Sequence, residues 1–203
     1  VLDVAGTLAL VVSYTYLWSL NVNGGWAPPG ANLTSSQTNS ALPGPSDATF
    51  AEAWPFWMIL AAVVGATVAM GFGYRELSKG HRVGMMVGGA VALTLTLIAL
   101  VWQWIQITSL PFGASNGAYA SAVLLLCASN VFHLLVLIFL LIGILNRTRL
   151  GLVSPAVPYQ AQLLSRWMVW VCIAVLLGAL CTTFLEASPN ANPSIFGTFQ
   201  SQT

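Results

Sequence analysis

Few side chains in this sequence could do chemistry in an apolar setting. Asp3 sits near the start of the first apolar segment. His133 lies within the fourth, with Asn130 and Ser129 a turn before it, and Arg166 stands at the start of the fifth. An ionisable group inside a bilayer is costly, so each is a functional candidate. Asp3 has two readings. In a helix beginning at Val1 it is a first-turn carboxylate favoured by the helix dipole. In a helix beginning upstream it is a membrane carboxyl in contact with a proton route. Ser129, Asn130 and His133 share one helix face and read as an interhelical hydrogen-bond cluster. Six-coordinate haem needs two axial ligands, and only one of the two histidines lies in an apolar segment. Copper or zinc would need more His, Cys or carboxylate groups than converge here. Cys127, Cys172 and Cys181 fall inside apolar runs, too far apart for a CxxC signature, and read as small buried hydrophobes. Gln103 and Gln106, beside Trp102 and Trp104, read as residues of the membrane–water belt. Arg166 reads as a cation that snorkels to the interface. With no phosphate-binding loop, nucleophile motif or paired carboxylates, no catalytic centre, metal site or cofactor site is expected in this chain.

The elements that must position these residues follow from composition. Of 203 residues, 57% are hydrophobic and 5% charged, against roughly 25% charged in an average soluble domain. That is too little charge to cover a soluble surface. The apolar residues also come in runs long enough for ~30 Å of hydrocarbon, about 20 residues each. Five such segments stand out, Val1–Leu20, Ala53–Tyr74, Val83–Ile107, Tyr119–Leu145 and Gln162–Leu185. Helices are the spanning option at these lengths. The expected fold is therefore all-α, an integral membrane bundle of five transmembrane helices forming a single domain over residues 1–203. The first connection, Asn21–Glu52, is a long external loop rich in Pro, Gly, Ser, Thr and Asn. Phe50–Trp57 forms an aromatic belt with Pro55 in the first turn of the next helix. The chain opens without Met, inside an apolar segment, so either a natural N-terminus precedes it or it is a piece of a larger polypeptide.

Orientation is read from the cations. All six, Arg75, Lys79, Arg82, Arg147, Arg149 and Arg166, lie in or beside the second and fourth connections. The positive-inside rule places those connections, and with them the N-terminal end, in the cytoplasm, and puts the C-terminal tail outside. A net charge of +1 leaves no basic patch for nucleic acid. Two stripes of small residues predict a close antiparallel pair of the second and third helices: Ala61, Gly65, Ala69 and Gly73 on one, Gly84, Gly88, Ala92 and Thr96 on the other.

Several motifs, in order along nearly the whole chain, resemble subunit III of the haem–copper (cytochrome c) oxidases in its five-helix bacterial form. The first is Asp3 in the first helix, followed by Tyr14, Tyr16 and Trp18 and then by Gly24-Gly25-Trp26-Ala27-Pro28-Pro29-Gly30. The second is the charged turn Tyr74-Arg75-Glu76-Leu77-Ser78-Lys79-Gly80. The third is Tyr119-Ala120-Ser121 with Ala128-Ser129-Asn130-Val131-Phe132-His133 after it. There His133 matches the second of the family's two histidines, and Asn130 stands where the first would be. The chain is a divergent relative. The family has Glu where Asp3 stands and an acid where Gln106 stands. Its last-helix His and Asp are missing from Arg166-Trp167-Met168-Val169-Trp170.

The resemblance implies a non-catalytic accessory subunit that holds no haem or copper of its own. Its partners would be the haem- and copper-bearing catalytic subunit I and the other oxidase subunits, in the bacterial inner membrane. It would bind phospholipid between helices, support complex stability and sustain proton uptake, the last role carrying over to Asp3 alone. The complex would reduce oxygen and pump protons in the respiratory chain. Two other readings stand beside it. One is the subunit III relative associated with nitric oxide reduction. The other is a small transporter, a class marked by inverted repeats and broken helices; no repeat between halves is visible here.

Overall fold

The computed structural model describes residues 2–20, 26 and 50–185. Val1, most of the expected first loop, including all of Gly24–Gly30 except Trp26, and the tail from Glu186 to Thr203 lie outside the described residues. The described chain is helical: α1 Leu2–Leu20, α2 Trp54–Ser78, α3 Arg82–Ser109, α4 Ala118–Arg149 and α5 Tyr159–Phe184, with a 3-10 turn at Ala114–Asn116. α2 to α5 are long and apolar enough to cross a membrane. α1 is not among them. Its 19 residues would reach about 28 Å, but its second half carries Ser13, Tyr14, Thr15, Tyr16, Trp18 and Ser19, which lower its mean hydropathy.

The helices overrun the expected ends on the basic side. α2 continues through Arg75 and Glu76 to Ser78, and α4 through Arg147 to Arg149. Both then stop in the same way. The Gly80 N–H donates to the Leu77 carbonyl at 2.9 Å and the His81 N–H to the Glu76 carbonyl at 2.9 Å. The Gly151 N–H donates to the Thr148 carbonyl at 3.0 Å and the Leu152 N–H to the Arg147 carbonyl at 2.9 Å. This pair of bonds requires a left-handed residue after the helix, and Gly80 (φ 90°) and Gly151 (φ 75°) supply it. Charge marks where the lipid ends; glycine marks where the helix ends. Arg75, Glu76, Arg147 and Arg149 are therefore helical.

The chain divides into two units. One comprises Val1–Ala53, Ile107–Ala128 and Leu180–Thr203, the other Trp54–Gln106 and Ser129–Ala179. The second holds a continuous core including Ile59, Val63, Met70, Met85, Leu134, Leu141, Met168 and Val175. Its outward side chains are equally apolar: Val68, Val83 and Phe139 are 67%, 75% and 76% exposed. A protein surrounded by water does not leave such surface open; one surrounded by acyl chains does.

Within this unit α2 and α3 pack closely. After Pro55 and Phe56 in its first turn, the buried positions of α2 are Ile59, Val63, Ala66, Met70, Gly73 and Leu77, alternating steps of four and three. That 3.5-residue period keeps one face toward a neighbour. The small-residue stripe at strict steps of four drifts off this face. Ala61 is exposed, Gly65 and Ala69 are half-buried, and only Gly73 is buried. The close approach is accordingly at Gly73 and Gly88, where a Cβ on Gly88 would lie 2.6 Å from the Ala69 carbonyl oxygen and 2.7 Å from the Gly73 Cα. A Cβ on Gly84 would meet the Glu76 Cβ at 2.5 Å, whereas one on Gly65 would meet only the Leu95 Cδ1, at 3.3 Å. Ala92 and Thr96 are buried on the same face of α3. At the far end of the pair, Trp54 and Trp102 meet edge to face at 5.7 Å.

Candidate functional site

Three positions gather the polar groups that the apolar surroundings make conspicuous. The first is the C-terminal half of α3, a helix whose buried stripe is Met85, Gly88, Gly89, Ala92, Thr96, Ala99, Gln103 and Gln106. Helical spacing carries the stripe straight into two glutamines, which are therefore buried and not part of the interfacial belt expected for them. Gln103 is fully buried and Gln106 4% exposed. The Gln103 Nε2 donates to the Gln106 Oε1 at 2.8 Å, and the Asn130 Nδ2 donates to the Gln103 Oε1 at 3.1 Å. Asn130, one residue of the polar face expected on α4, thus finds a partner on α3. On α5, Gly178 leaves the space beside the Asn130 amide open: a Cβ there would lie 3.9 Å from both amide atoms. Carboxamides donate and accept but do not titrate at ordinary pH. The chain Gln106–Gln103–Asn130 therefore ties two helices in one register and holds no proton of its own to give.

His133 lies one turn further along α4 and is 2% exposed. Its Nδ1 stands 2.7 Å from the Ser129 carbonyl oxygen, so that nitrogen carries the proton and donates it to the preceding turn. The Ser129 hydroxyl is 3.5 Å from the same nitrogen, at the limit of a hydrogen bond. The imidazole lies beside Trp167 of α5, ring centroids 6.5 Å apart and tilted by 33°, and beside Phe132 at 5.8 Å. Ser129 and His133 are thus joined to each other, and Asn130 to Gln103. Cys172 meets Thr67 across α2 and α5 at 3.2 Å, while Cys127 and Cys181 are buried, and none of the three is in a disulfide. Among the described residues no three His, Cys, Asp or Glu side chains converge on one point.

The second position, in the other unit, is built of aromatic rings. Tyr119 is fully buried at the start of α4 and Trp26 is 3% exposed. Their rings meet edge to face at 5.4 Å, Trp26 meets Tyr14 of α1 in the same way at 4.9 Å, and Phe50 and Phe112 approach Tyr119 at 5.3 and 5.8 Å. The Tyr119 hydroxyl accepts the Ala51 N–H at 2.9 Å. Edge-to-face geometry sets the positive rim of one ring on the negative face of the next. The tyrosine thereby anchors both ends of the first connection, at Trp26 and at Ala51. Beside it α1 and α4 leave an apolar groove of about 140 Å³ bordered by Leu10, Tyr14, Ala122 and Leu126. Asp3, in the first turn of α1, is half-buried, whereas the Gln–Asn chain and His133 belong to the other unit.

The third position is the basic end of the second unit. Glu76 pairs with Lys79 at 2.6 Å and with His81 at 2.8 Å. The Arg82 guanidinium lies over Gly151, where a Cβ would come within 3.1 Å of its Nη1. This contact brings the α2–α3 turn and the α4–α5 connection together, so the cations collect at one end of the unit. The burial of the glutamines was detectable from the 3.5-residue spacing of α3. The anchoring role of Tyr119 was not, because Trp26, Phe50 and Ala51 are separated from it in the chain by the whole of α2 and α3. No family model matches the chain, and no curated protein is similar to it.

Proposed function

We propose that this chain is an accessory subunit, without a catalytic centre of its own, of a haem–copper terminal oxidase of a bacterial inner membrane. In this reading α1 is a fifth transmembrane helix, the basic end faces the cytoplasm and the tail lies outside. The chain packs against catalytic subunit I, which carries haem and copper, holds phospholipid, and presents Asp3 near the entrance of a proton-uptake route. One observation carries the reading. Trp26 of the first connection and Tyr119 at the head of α4, two residues of the ordered motifs resembling subunit III, are ring partners at 5.4 Å, with Tyr14 of the first motif on the other side of Trp26. Motif residues distant in the chain thus share one packing site.

The test is affinity purification of the chain from its native membrane under mild detergent. The expected result is a stable complex containing a haem-bearing subunit, with no visible absorbance from this chain once separated. Isolation without any haem protein, or with a nitric oxide-reducing partner, would overturn the assignment.

A further inference from the structure

Arg166 is the cation of the basic end that sits inside a lipid-facing stripe. As far as Ile173, the exposed residues of α5 run Tyr159, Leu163, Arg166, Val169 and Ile173, with the four uncharged ones 67%, 55%, 52% and 43% exposed. Arg166 is two turns in from the start of α5, about 10 Å along the axis. A guanidinium bordered by aliphatic side chains on a lipid-facing stripe is satisfied by an anion or by a path to water. No acidic side chain among the described residues supplies one. Glu76, the acid of this unit, has one carboxylate oxygen on Lys79 and the other on His81. Arg75, Arg82, Arg147 and Arg149 likewise have no acidic partner among the described residues.

We infer that Arg166 binds the phosphodiester of a bilayer phospholipid, of the anionic class, with the acyl chains running along Leu163, Val169 and Ile173. A guanidinium matches phosphate oxygens in a two-pronged geometry that an ammonium cannot reproduce. The arginines of the two turns add attraction for a headgroup with net negative charge. The inference rests on the membrane-spanning reading of α5 and stands whether or not the partner is an oxidase.

The test uses the full chain in bilayer discs of phosphatidylglycerol and phosphatidylcholine, with retained lipid read by native mass spectrometry. The unaltered protein is expected to retain phosphatidylglycerol in preference to phosphatidylcholine. Arg166→Gln is expected to weaken that retention about five-fold, the equivalent of one surface cation. Arg166→Lys is expected to fall between the two. Equal retention by Arg166→Gln overturns the proposal. So does equal competition from diacylglycerol, which lacks the phosphate, or displacement by inorganic phosphate alone, which marks a free-anion site. A second measurement leaves Arg166 in place. A photoreactive side chain at Leu163 in the native membrane is expected to capture phospholipid, and capture of a polypeptide instead assigns the stripe to a protein partner and overturns the lipid site.

Discussion

Asn130 donates its side-chain amide to the Gln103 carbonyl oxygen at 3.1 Å, and through it α4 is tied to α3 within the second unit. Gln103 in turn donates to Gln106, so one substitution strands more than one polar group. In a membrane such bonds are worth about 0.6 kcal/mol on average and up to ~1.7. The Asn130→Ala and Gln103→Ala variants should therefore be coupled in a double-mutant cycle by about that amount, read from unfolding in mixed micelles. Additive losses would mean that the bond contributes nothing to holding the helices.

The Gly73–Gly88 approach makes a sharper prediction than the stripes alone. Gly88→Ala places a methyl 2.6 Å from a backbone oxygen, which cannot yield without moving α2. A loss on the order of 1–3 kcal/mol is expected, as for overpacked cores. Gly65→Ala meets one flexible leucine methyl at 3.3 Å and should be close to neutral. Thermal unfolding of the two variants side by side decides the point, and a larger loss at Gly65 would move the interface along the helices.

What the sequence made legible depended on how local the signal was. α2 to α5 were readable because each apolar run carries its own information. Their ends were less so, because charge was read as turn whereas Gly80 and Gly151 show where the left-handed residue stops each helix. The steps-of-four stripe located Gly73 and Gly88 but included Ala61, which a 3.5-residue period turns away from the neighbour. Gln103 and Gln106 were assigned to the interface on the strength of the tryptophans beside them. Their spacing continues the buried face of α3, but the Asn130 partner lies on a different helix, and pairing between helices is not written in either segment alone. Tyr119 is a further instance: its aromatic neighbours and the Ala51 N–H come from separate stretches of chain that only folding brings together.

Tyr119 can be dissected one interaction at a time. Tyr119→Phe keeps the ring contacts with Trp26, Phe50 and Phe112 and leaves the buried Ala51 N–H without its acceptor. The expected cost is about 1–3 kcal/mol. Tyr119→Ala removes the rings' common partner as well and should cost about 3–5 kcal/mol. Thermal melts of the purified protein should rank the two in that order. Equal losses would mean that the hydroxyl bond carries the whole effect and the rings none.

Asp3 separates the oxidase reading from a purely structural one. The side chain is half-buried in the first turn of α1 and belongs to the unit that lacks the Gln–Asn chain and His133. Asn has nearly the same shape as Asp but cannot carry a proton, so Asp3→Asn tests charge and titration with little change in packing. If the carboxyl stands at a proton-uptake route, the variant complex should assemble normally, yet take up protons more slowly or lose activity sooner during turnover. Stopped-flow proton uptake and the number of turnovers before inactivation are the two readouts. Asp3→Glu, which restores the carboxyl on a longer stem, should recover most of the loss. A complex with Asp3→Asn that assembles and turns over with unchanged rate and lifetime removes Asp3 from the mechanism. The proposed partnership would then rest on copurification alone.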